Sequence, residues 1–97
     1  MKGESKVLFQ RIAGYLAERG ARRVSVFGSR ARDDARSDSD VDILVDFGER
    51  KSLLELVGME QELSESIGIG VDLVTEKSVS PFLRERVMKE RVVIFAA

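Results

Sequence analysis

The residues best suited to chemistry are a glycine–serine pair and three aspartates. Gly28-Ser29 is followed, after ten residues, by Asp40-Val41-Asp42, and Asp72 comes later in the chain. The chain has no histidine and no cysteine, which removes the commonest general base, the thiol nucleophile and the thiolate metal site. Any catalysis must therefore use carboxylates, hydroxyls, lysine or arginine, and hard cations.

The glycine–serine pair has the features of a phosphate-binding turn. Gly28 lets the backbone approach a ligand closely because it has no Cβ, and Ser29 can cap the short turn that begins at Arg30. A helix start of this kind presents free N–H groups to phosphate oxygens. Positive charge nearby comes from Arg30, Arg32 and Arg36. This corner of the chain therefore predicts a phosphate-binding site.

The aspartates have the features of a cation site. Asp40 and Asp42 are two apart on an extended segment, so their carboxylates project from the same side. Two unit charges about 4 Å apart repel by about 4 kcal/mol at an effective dielectric constant of about 20. Gathered carboxylates therefore have raised pKa values or share a cation, and all-oxygen ligands favour Mg²⁺ or Mn²⁺. A phosphate cradle beside such a site indicates phosphoryl or nucleotidyl transfer.

Alternating helices and strands must position these residues. Helically spaced apolar residues predict a first helix that ends at Gly20. A capping box at Ser52 and Glu55 opens a second helix, whose apolar stripe runs from Leu53 to Ile67. Ser80-Pro81 begins a third helix with an apolar side formed by Phe82, Leu83 and Val87. Strands are predicted at 23–27, 41–47, 71–75 and 92–95.

The alternation in the second strand divides the predicted sheet into two faces. Val41, Ile43, Val45 and Phe47 would lie on a helix-covered face, whereas the acidic pair would lie on the open face. In the third strand, the same side carries Asp72, Val74 and Glu76. The expected fold is α+β, with a small mixed β-sheet and helices mainly on one face.

A shared site for these residues would also fix the topology. Gly28-Ser29 and Asp40 can meet only if the first two strands are antiparallel, because a parallel pairing would separate them by about 16 Å. Asp72 opens the third strand as Asp40 and Asp42 open the second. The third strand must then run parallel to the second, with a right-handed helical crossover between them.

Length and composition predict a single domain over residues 1–97. Apolar residues make up 43% and charged residues 34% of the chain, which argues against disorder. The net charge of −1 excludes a generic polyanion binder and disfavours strong nucleic-acid binding. No secretory signal is evident, and the apolar stretches are far shorter than the ~20 residues of a membrane span. We therefore expect a cytoplasmic protein without a membrane partner.

The complete pattern resembles the signature of the DNA polymerase β-like nucleotidyltransferase superfamily. It comprises Gly28-Ser29, the ten-residue gap, Asp40-Val41-Asp42 and the later Asp72. Arg30-Ala31-Arg32 and the run at 39–45 make the chain similar to the minimal nucleotidyltransferases. These small prokaryotic proteins are commonly paired with a helical HEPN-domain partner in toxin–antitoxin systems. The resemblance covers about residues 23–93 and implies the nucleotidyltransferase fold.

The resemblance also implies roles for individual residues. Gly28 and Ser29, with Arg30 beside them, would hold the triphosphate of ATP. The metal ligands would be Asp40 and Asp42 for two Mg²⁺ ions, with Asp72 completing one site and assisting deprotonation of the acceptor hydroxyl. The acceptor oxygen would attack the α-phosphorus in line, and pyrophosphate would leave. In toxin–antitoxin members, AMP is placed on a tyrosine of the HEPN partner, which silences it.

Several of these residues have simpler interpretations. Asp38 also forms an Asp-x-Asp pair with Asp40, but the ten-residue gap from Ser29 and the strand position of Asp42 favour Asp40 and Asp42. Taken alone, Gly28 could be a strand-end glycine. The arginines at positions 30, 32 and 36 could be ordinary surface charge.

Two other functions are left open by the sequence. One is an antitoxin that neutralises its partner by covering it, which is motivated by the small size, by Asp33-Asp34 where relatives often carry glycine, and by the apolar run at 92–95. The other is nucleotidyl transfer to a small molecule or to RNA, although such enzymes usually need a further acceptor-binding domain. The acceptor, the preferred base and the oligomeric state, homo-oligomers included, are not decided by the sequence.

Overall fold

The computed structural model describes residues 3–32 and 39–97. These residues form three α-helices and four strands. The helices are α1 (Gly3–Glu18), α2 (Leu53–Ile67) and α3 (Pro81–Glu90). The strands are β1 (Arg23–Phe27), β2 (Val41–Asp46), β3 (Val71–Thr75) and β4 (Val92–Ala96). Short 3₁₀ turns follow β1 at Gly28–Arg30 and β3 at Glu76–Ser78.

The strands form one mixed sheet in the order β3-β2-β1-β4. β1 is antiparallel to both β2 and β4, whereas β2 and β3 are parallel. Phe27 of β1 pairs with Asp42 of β2, and Asp42 pairs in turn with Asp72 of β3. The predicted mixed sheet and the direction of its first three strands are therefore confirmed.

The helix ends follow from local chemistry. At the start of α2, the Glu55 backbone N–H donates to Ser52 Oγ over 3.1 Å, which is the predicted cap. At its end, Gly68 has φ +74° and its N–H donates to the Ser64 carbonyl. Gly20 likewise has positive φ, two residues beyond α1, where a side chain at Cβ would be strained.

The hydrophobic core lies between one face of the sheet and the helices α1 and α2. The strands contribute alternating residues that are almost completely buried, and the helices contribute larger side chains above them. Burial of these apolar surfaces is the main stabilising contribution to a domain of this size. The core residues include Ile12, Leu16, Val24, Val26, Val41, Ile43, Val45, Phe47, Met59 and Leu63.

The sequence suggested that the face of the sheet carrying Asp42 is open. In the structure, this face is not open along its whole length. Ser25 and Leu44 in its middle have no solvent exposure. β3 and β4 are parallel strands at opposite edges of the sheet. The chain moves across the sheet in one direction from β2 to β3 and in the opposite direction from β3 to β4. Two right-handed crossovers therefore place α2 and α3 on opposite faces. The predicted exposure of this face is found only at the end of the sheet where Asp42 lies.

Contacts at the two ends of α3 agree with this crossing. Near its start, the Arg84 guanidinium donates to the Glu76 carbonyl over 2.7 Å, just beyond the end of β3. At its last residue, Glu90 pairs with Arg32 beside the first 3₁₀ turn, at 3.5 Å. The helix therefore runs from the end of β3 towards the end of the sheet that carries Asp42.

Two predicted apolar faces are only partly buried. In α2, Met59 and Leu63 are buried, but Leu53 is 78% exposed. In α3, no residue is buried, and Phe82 is 95% exposed, so its predicted apolar side does not pack as expected. Apolar side chains at the starts of both helices are thus left on the surface.

The edge of the sheet formed by β3 is covered by α2. Val71 N–H donates to Ser64 Oγ over 2.9 Å, and Leu73 N–H donates to Glu60 Oε2 over 2.8 Å.

Among the described residues, none of the helices is long and apolar enough to cross a membrane.

Candidate functional site

The three predicted aspartates meet at the end of the sheet where β2 and β3 begin; we call this the acidic end. Asp42 and Asp72 are register partners in neighbouring parallel strands, so their side chains lie on the same face. Asp42 is partly buried, whereas Asp40 and Asp72 are exposed. Asp40 directly precedes β2, and Val41 N–H donates to the Gly70 carbonyl over 2.8 Å, which joins the starts of the two strands.

The charges of these carboxylates act on one another. Burial raises the pKa of the Asp42 carboxyl, and the neighbouring negative charges of Asp72 and then Asp40 raise it further. The Arg32 guanidinium opposes this rise in the pKa. The folded chain thus holds the Asp42 carboxylate in a place that disfavours its negative charge, which a bound cation would relieve.

Two glycines hold the backbone against the aspartate side chains. Gly28 has φ +72°, and a Cβ at this position would run into Asp42 Oδ2 and lie 3.2 Å from Asp42 Cγ. A Cβ at Gly70 would lie 2.5 Å from Asp40 Oδ1. The sequence analysis identifies Gly28 as a candidate but does not identify Gly70. Its position two residues before Asp72 was the available signal.

The first 3₁₀ turn places Ser29 and Arg30 beside the acidic end. Ser29 is partly buried, and the Gly28 carbonyl accepts bonds from the N–H groups of Ala31 and Arg32, which closes the turn. The Arg30 guanidinium donates to the Ser39 carbonyl through Nη2 at 2.6 Å and through Nε at 3.2 Å. Arg30 therefore bonds to the chain just before Asp40, which positions that aspartate's backbone.

Other sequence candidates have different outcomes. Arg32 pairs with Glu90, as described above. Arg36, Asp38 and the Asp33-Asp34 pair lie outside the described residues. Glu76, which shares the sheet face of Asp72, lies about 13 Å along the strand direction from it and so does not join the acidic end.

Glu76 instead forms a buried ion-pair network at the opposite end of β3. Its carboxylate accepts bonds from Arg23 Nε at 2.7 Å and Nη2 at 2.8 Å, and from Arg91 Nη1 at 3.2 Å. The hydrogen bonds from Arg23 hold the pKa of the Glu76 carboxyl below its usual range, despite its burial. This network joins β1, the second 3₁₀ turn and the start of β4.

Asp40 and Asp72 also line a groove of about 450 Å³ that extends to α2. Its other polar side chains are Glu60, Gln61, Ser64 and Glu65. Within the described residues, no group of three or more carboxylates forms a complete metal-binding site. Mg²⁺ in phosphoryl-transfer sites is usually bound by one or two carboxylates together with substrate phosphates and water. The oxygen donors at the acidic end fit that mode of binding.

Comparison with known proteins gives a consistent family. The family model for the nucleotidyltransferase domain matches residues 10–94. A Methanocaldococcus jannaschii protein, provisionally named a protein adenylyltransferase, is 46% identical over 83 residues, covering 86% of this chain and 89% of its own length. The protein adenylyltransferase MntA of Thermococcus cleftensis is 45% identical over 75 residues, covering 77% of this chain and 76% of its own.

Solved structures agree on the fold. A minimal nucleotidyltransferase, so named provisionally, is 40% identical, with a TM-score of 0.78 and 95% of both chains covered. A toxin–antitoxin complex crystallised with AMP-PNP gives a TM-score of 0.80 at 21% identity, covering 99% of this chain and 75% of that chain. The MNT antitoxin bound to a tri-AMPylated HEPN toxin of Shewanella oneidensis gives a TM-score of 0.78 at 20% identity. The match covers 94% of this chain and 71% of that chain. With the match over residues 10–94, this chain is an enzyme of the nucleotidyltransferase family, of the minimal type.

Proposed function

We propose that this enzyme transfers AMP from ATP to a tyrosine hydroxyl of a HEPN-type partner protein, with Mg²⁺, and thereby acts as an antitoxin. The observation that carries the proposal is the meeting of Asp40, Asp42 and Asp72 beside the Gly28 turn. Relatives with 45–46% identity carry the name protein adenylyltransferase. A structural neighbour was solved with a tri-AMPylated HEPN toxin, and another with AMP-PNP.

The chain's own residues divide the work of such a reaction. Gly28 leaves room for the backbone to approach phosphate oxygens beside Asp42, since any Cβ there would meet the carboxylate. Asp40 and Asp42 would hold Mg²⁺, which when bound would neutralise charge on the phosphates and on the leaving pyrophosphate. Arg30 keeps Asp40 in place through the Ser39 carbonyl. These groups position ATP and compensate its charge.

In this proposal, Asp72 acts on the acceptor. It is exposed, so a hydroxyl from another molecule can reach it. As the acceptor oxygen forms its bond to the α-phosphorus, its proton would pass to the Asp72 carboxylate, and the bond from the α-phosphorus to the bridging oxygen of pyrophosphate would break. The products are a phosphodiester-linked AMP on the acceptor and free pyrophosphate.

Transfer of label from α-³²P-ATP tests the proposal. The purified chain is mixed with Mg²⁺ and its cognate HEPN-domain protein, which is first sought in the neighbouring reading frame. We expect label on the partner, and a loss of at least about 10³-fold in the rate with Asp40→Asn plus Asp42→Asn, because transition-state charge stabilisation is removed. Glu18→Gln is the matched control, since Glu18 is an exposed carboxylate at the end of α1 that lines neither groove. An unlabelled partner, or labelling that survives the double substitution, would contradict the proposal.

The same variant separates a second candidate function, neutralisation by binding alone. Large exposed apolar side chains at the starts of α2 and α3 favour a role in complex formation. If the double variant still protects cells from the toxin as well as the wild type does, binding is sufficient and transfer is not the protective activity. If protection is lost while the complex still forms, transfer is required.

A further inference from the structure

An apolar groove lies at the end of the sheet opposite the aspartates; we call it the far groove. It has a volume of about 770 Å³ and lies where β2 and β3 end and α2 begins. Its apolar lining includes Phe47, Leu53, Leu56, Val57 and Leu73. The carboxylates of the acidic end lie about 13–16 Å away along the strands. The far groove is therefore separate from the candidate active site.

The surface around the far groove is unusually apolar. Leu53, Leu54 and Val57 are 78%, 83% and 39% exposed, respectively, and all lie in the first two turns of α2. Phe82 and Leu83 are exposed in the first turn of α3, which follows the 3₁₀ turn that lines the groove. These five account for most of the large exposed apolar side chains in the described part of the chain. Leu53, Leu54 and Val57 are grouped in the first two turns of one helix, and exposed apolar side chains grouped in this way are typical of protein-binding sites.

The charged residues at the groove indicate the sign of the charge that its partner carries. Its carboxylates are engaged: Asp46 and Glu76 with Arg23, Glu49 with Lys51, and Glu60 with the Leu73 N–H. Arg50 and Lys77 also line it, and neither forms an ion pair with any residue in 3–32 or 39–97. The charged groups left without a partner at this surface are therefore cationic.

We propose that the far groove docks an amphipathic helix of the acceptor protein, with an apolar stripe flanked by carboxylates. A helix of this chemistry would bury Leu53, Leu54 and Val57 and pair its acids with Arg50 and Lys77. Leu54 projects outside the groove lining, so a small molecule held in the groove would leave it uncovered. A second copy of this chain would bring Arg50 and Lys77 against their own equivalents. The identification of the occupant as the acceptor rests on the proposed function.

Binding of the cognate HEPN-domain protein used in the transfer experiment, measured by calorimetry without nucleotide, tests the docking site. Leu53→Asp plus Leu54→Asp is expected to raise the Kd at least tenfold, because central apolar anchors carry much of an interface's affinity. Arg50→Glu plus Lys77→Glu is expected to raise it about tenfold at low salt and less at high salt. Lys6→Glu plus Val7→Asp is the matched control on α1, where Val7 is 59% exposed, and should change the Kd less than twofold.

The possible results separate this proposal from the proposed function. A wild type that does not bind this protein, or groove variants that bind as the wild type does, would overturn it. A wild-type dimer in light scattering that becomes monomeric on Leu53→Asp plus Leu54→Asp would also overturn it, since a second copy would then be the occupant. Binding lost in both groove variants supports the docking site even if no AMP is transferred, in which case only the proposed function fails.

Discussion

The two ends of the β2–β3 pair use carboxylates in opposite ways. At the acidic end, Asp42 is partly buried beside two further negative charges, and its pKa is raised. At the far end, Glu76 is almost fully buried between Arg23 and Arg91, and its pKa is lowered. Within the described residues, the same pair of strands thus begins with carboxylates whose negative charges are only partly compensated and ends at one carboxylate whose charge is paired with two arginines. Uncompensated charge is typical of sites that bind or react, and compensated charge is typical of structural networks.

Among single substitutions, the largest expected effect comes from closing the space beside Asp42. Gly28→Ala should lower the rate of AMP transfer at least about 100-fold, because the added Cβ meets the Asp42 carboxylate and the residue has φ +72°. The strained backbone should also lower the free energy of unfolding by about 1–2 kcal/mol. Activity and urea unfolding measure the two effects.

Gly14→Ala is the control for this substitution. Gly14 lies in α1, and a Cβ there would contact nothing within 4 Å. It should leave transfer unchanged and raise stability by about 0.5–1 kcal/mol through helix propensity. A Gly28→Ala variant with wild-type transfer would show that the close approach at Asp42 has no part in the reaction.

Next in size is the loss of the far-end network. Glu76→Gln should lower the free energy of unfolding by about 1.5–3 kcal/mol at pH 7, because charge-assisted bonds to Arg23 and Arg91 are weakened in a buried place. Since the pKa of Glu76 is lowered on folding, its stabilisation is full above the unfolded-state pKa and is lost as the pH falls through the folded-state pKa. The wild type and the variant should therefore converge in acid. A deficit that stays constant down to pH 2 would contradict an electrostatic cause.

The opposite sign is expected at the acidic end. Asp42→Asn should raise the free energy of unfolding by about 0.5 kcal/mol at pH 7, because it removes a negative charge that the folded state disfavours, while solvent screens part of the effect at this partly exposed carboxyl. As the pH falls through the raised folded-state pKa of Asp42, the wild-type carboxyl becomes protonated and the advantage of the variant disappears. Thermal unfolding from pH 3 to pH 8 would show this, and a variant less stable than the wild type at pH 7 would contradict it.

The smallest effect on stability should come from the far groove. Leu53→Asp plus Leu54→Asp should change the free energy of unfolding by less than about 0.5 kcal/mol, because both side chains are mostly exposed and aspartate is favoured in the first turn of a helix. Circular dichroism during urea titration measures it. A loss above about 2 kcal/mol would mean that these leucines belong to the core, which would remove the surface on which partner docking was inferred.

The sheet could be predicted closely because its chemistry and its pattern agreed. The alternation of residues 41–47 identified the buried face of β2, and the need for Gly28, Asp40 and Asp72 to meet required one antiparallel and one parallel pairing. The structure has both pairings, with Asp42 opposite Phe27 and Asp72. A single strand pattern would not have given the directions, whereas shared chemistry between distant segments did.

The position of α3 could not be read in the same way. Pro81 marked its start correctly, but the apolar spacing of Phe82, Leu83 and Val87 suggested a buried side that the structure does not show. Which face a crossover helix covers depends on the order of all four strands, and β4 lies at the opposite edge from β3. The contact between Gly70 and the Asp40 side chain was missed for a related reason, since it exists only once β2 and β3 are side by side.

The bonds from Ser64 and Glu60 to the outward N–H groups of β3 have a consequence for assembly. A strand from another molecule could extend the sheet at β3 only by displacing both side chains from the backbone N–H groups of β3. Sheet extension is therefore directed to β4, on the other side of the molecule. Any oligomer built in that way would leave the entrance between Asp40, Asp72 and α2 unobstructed.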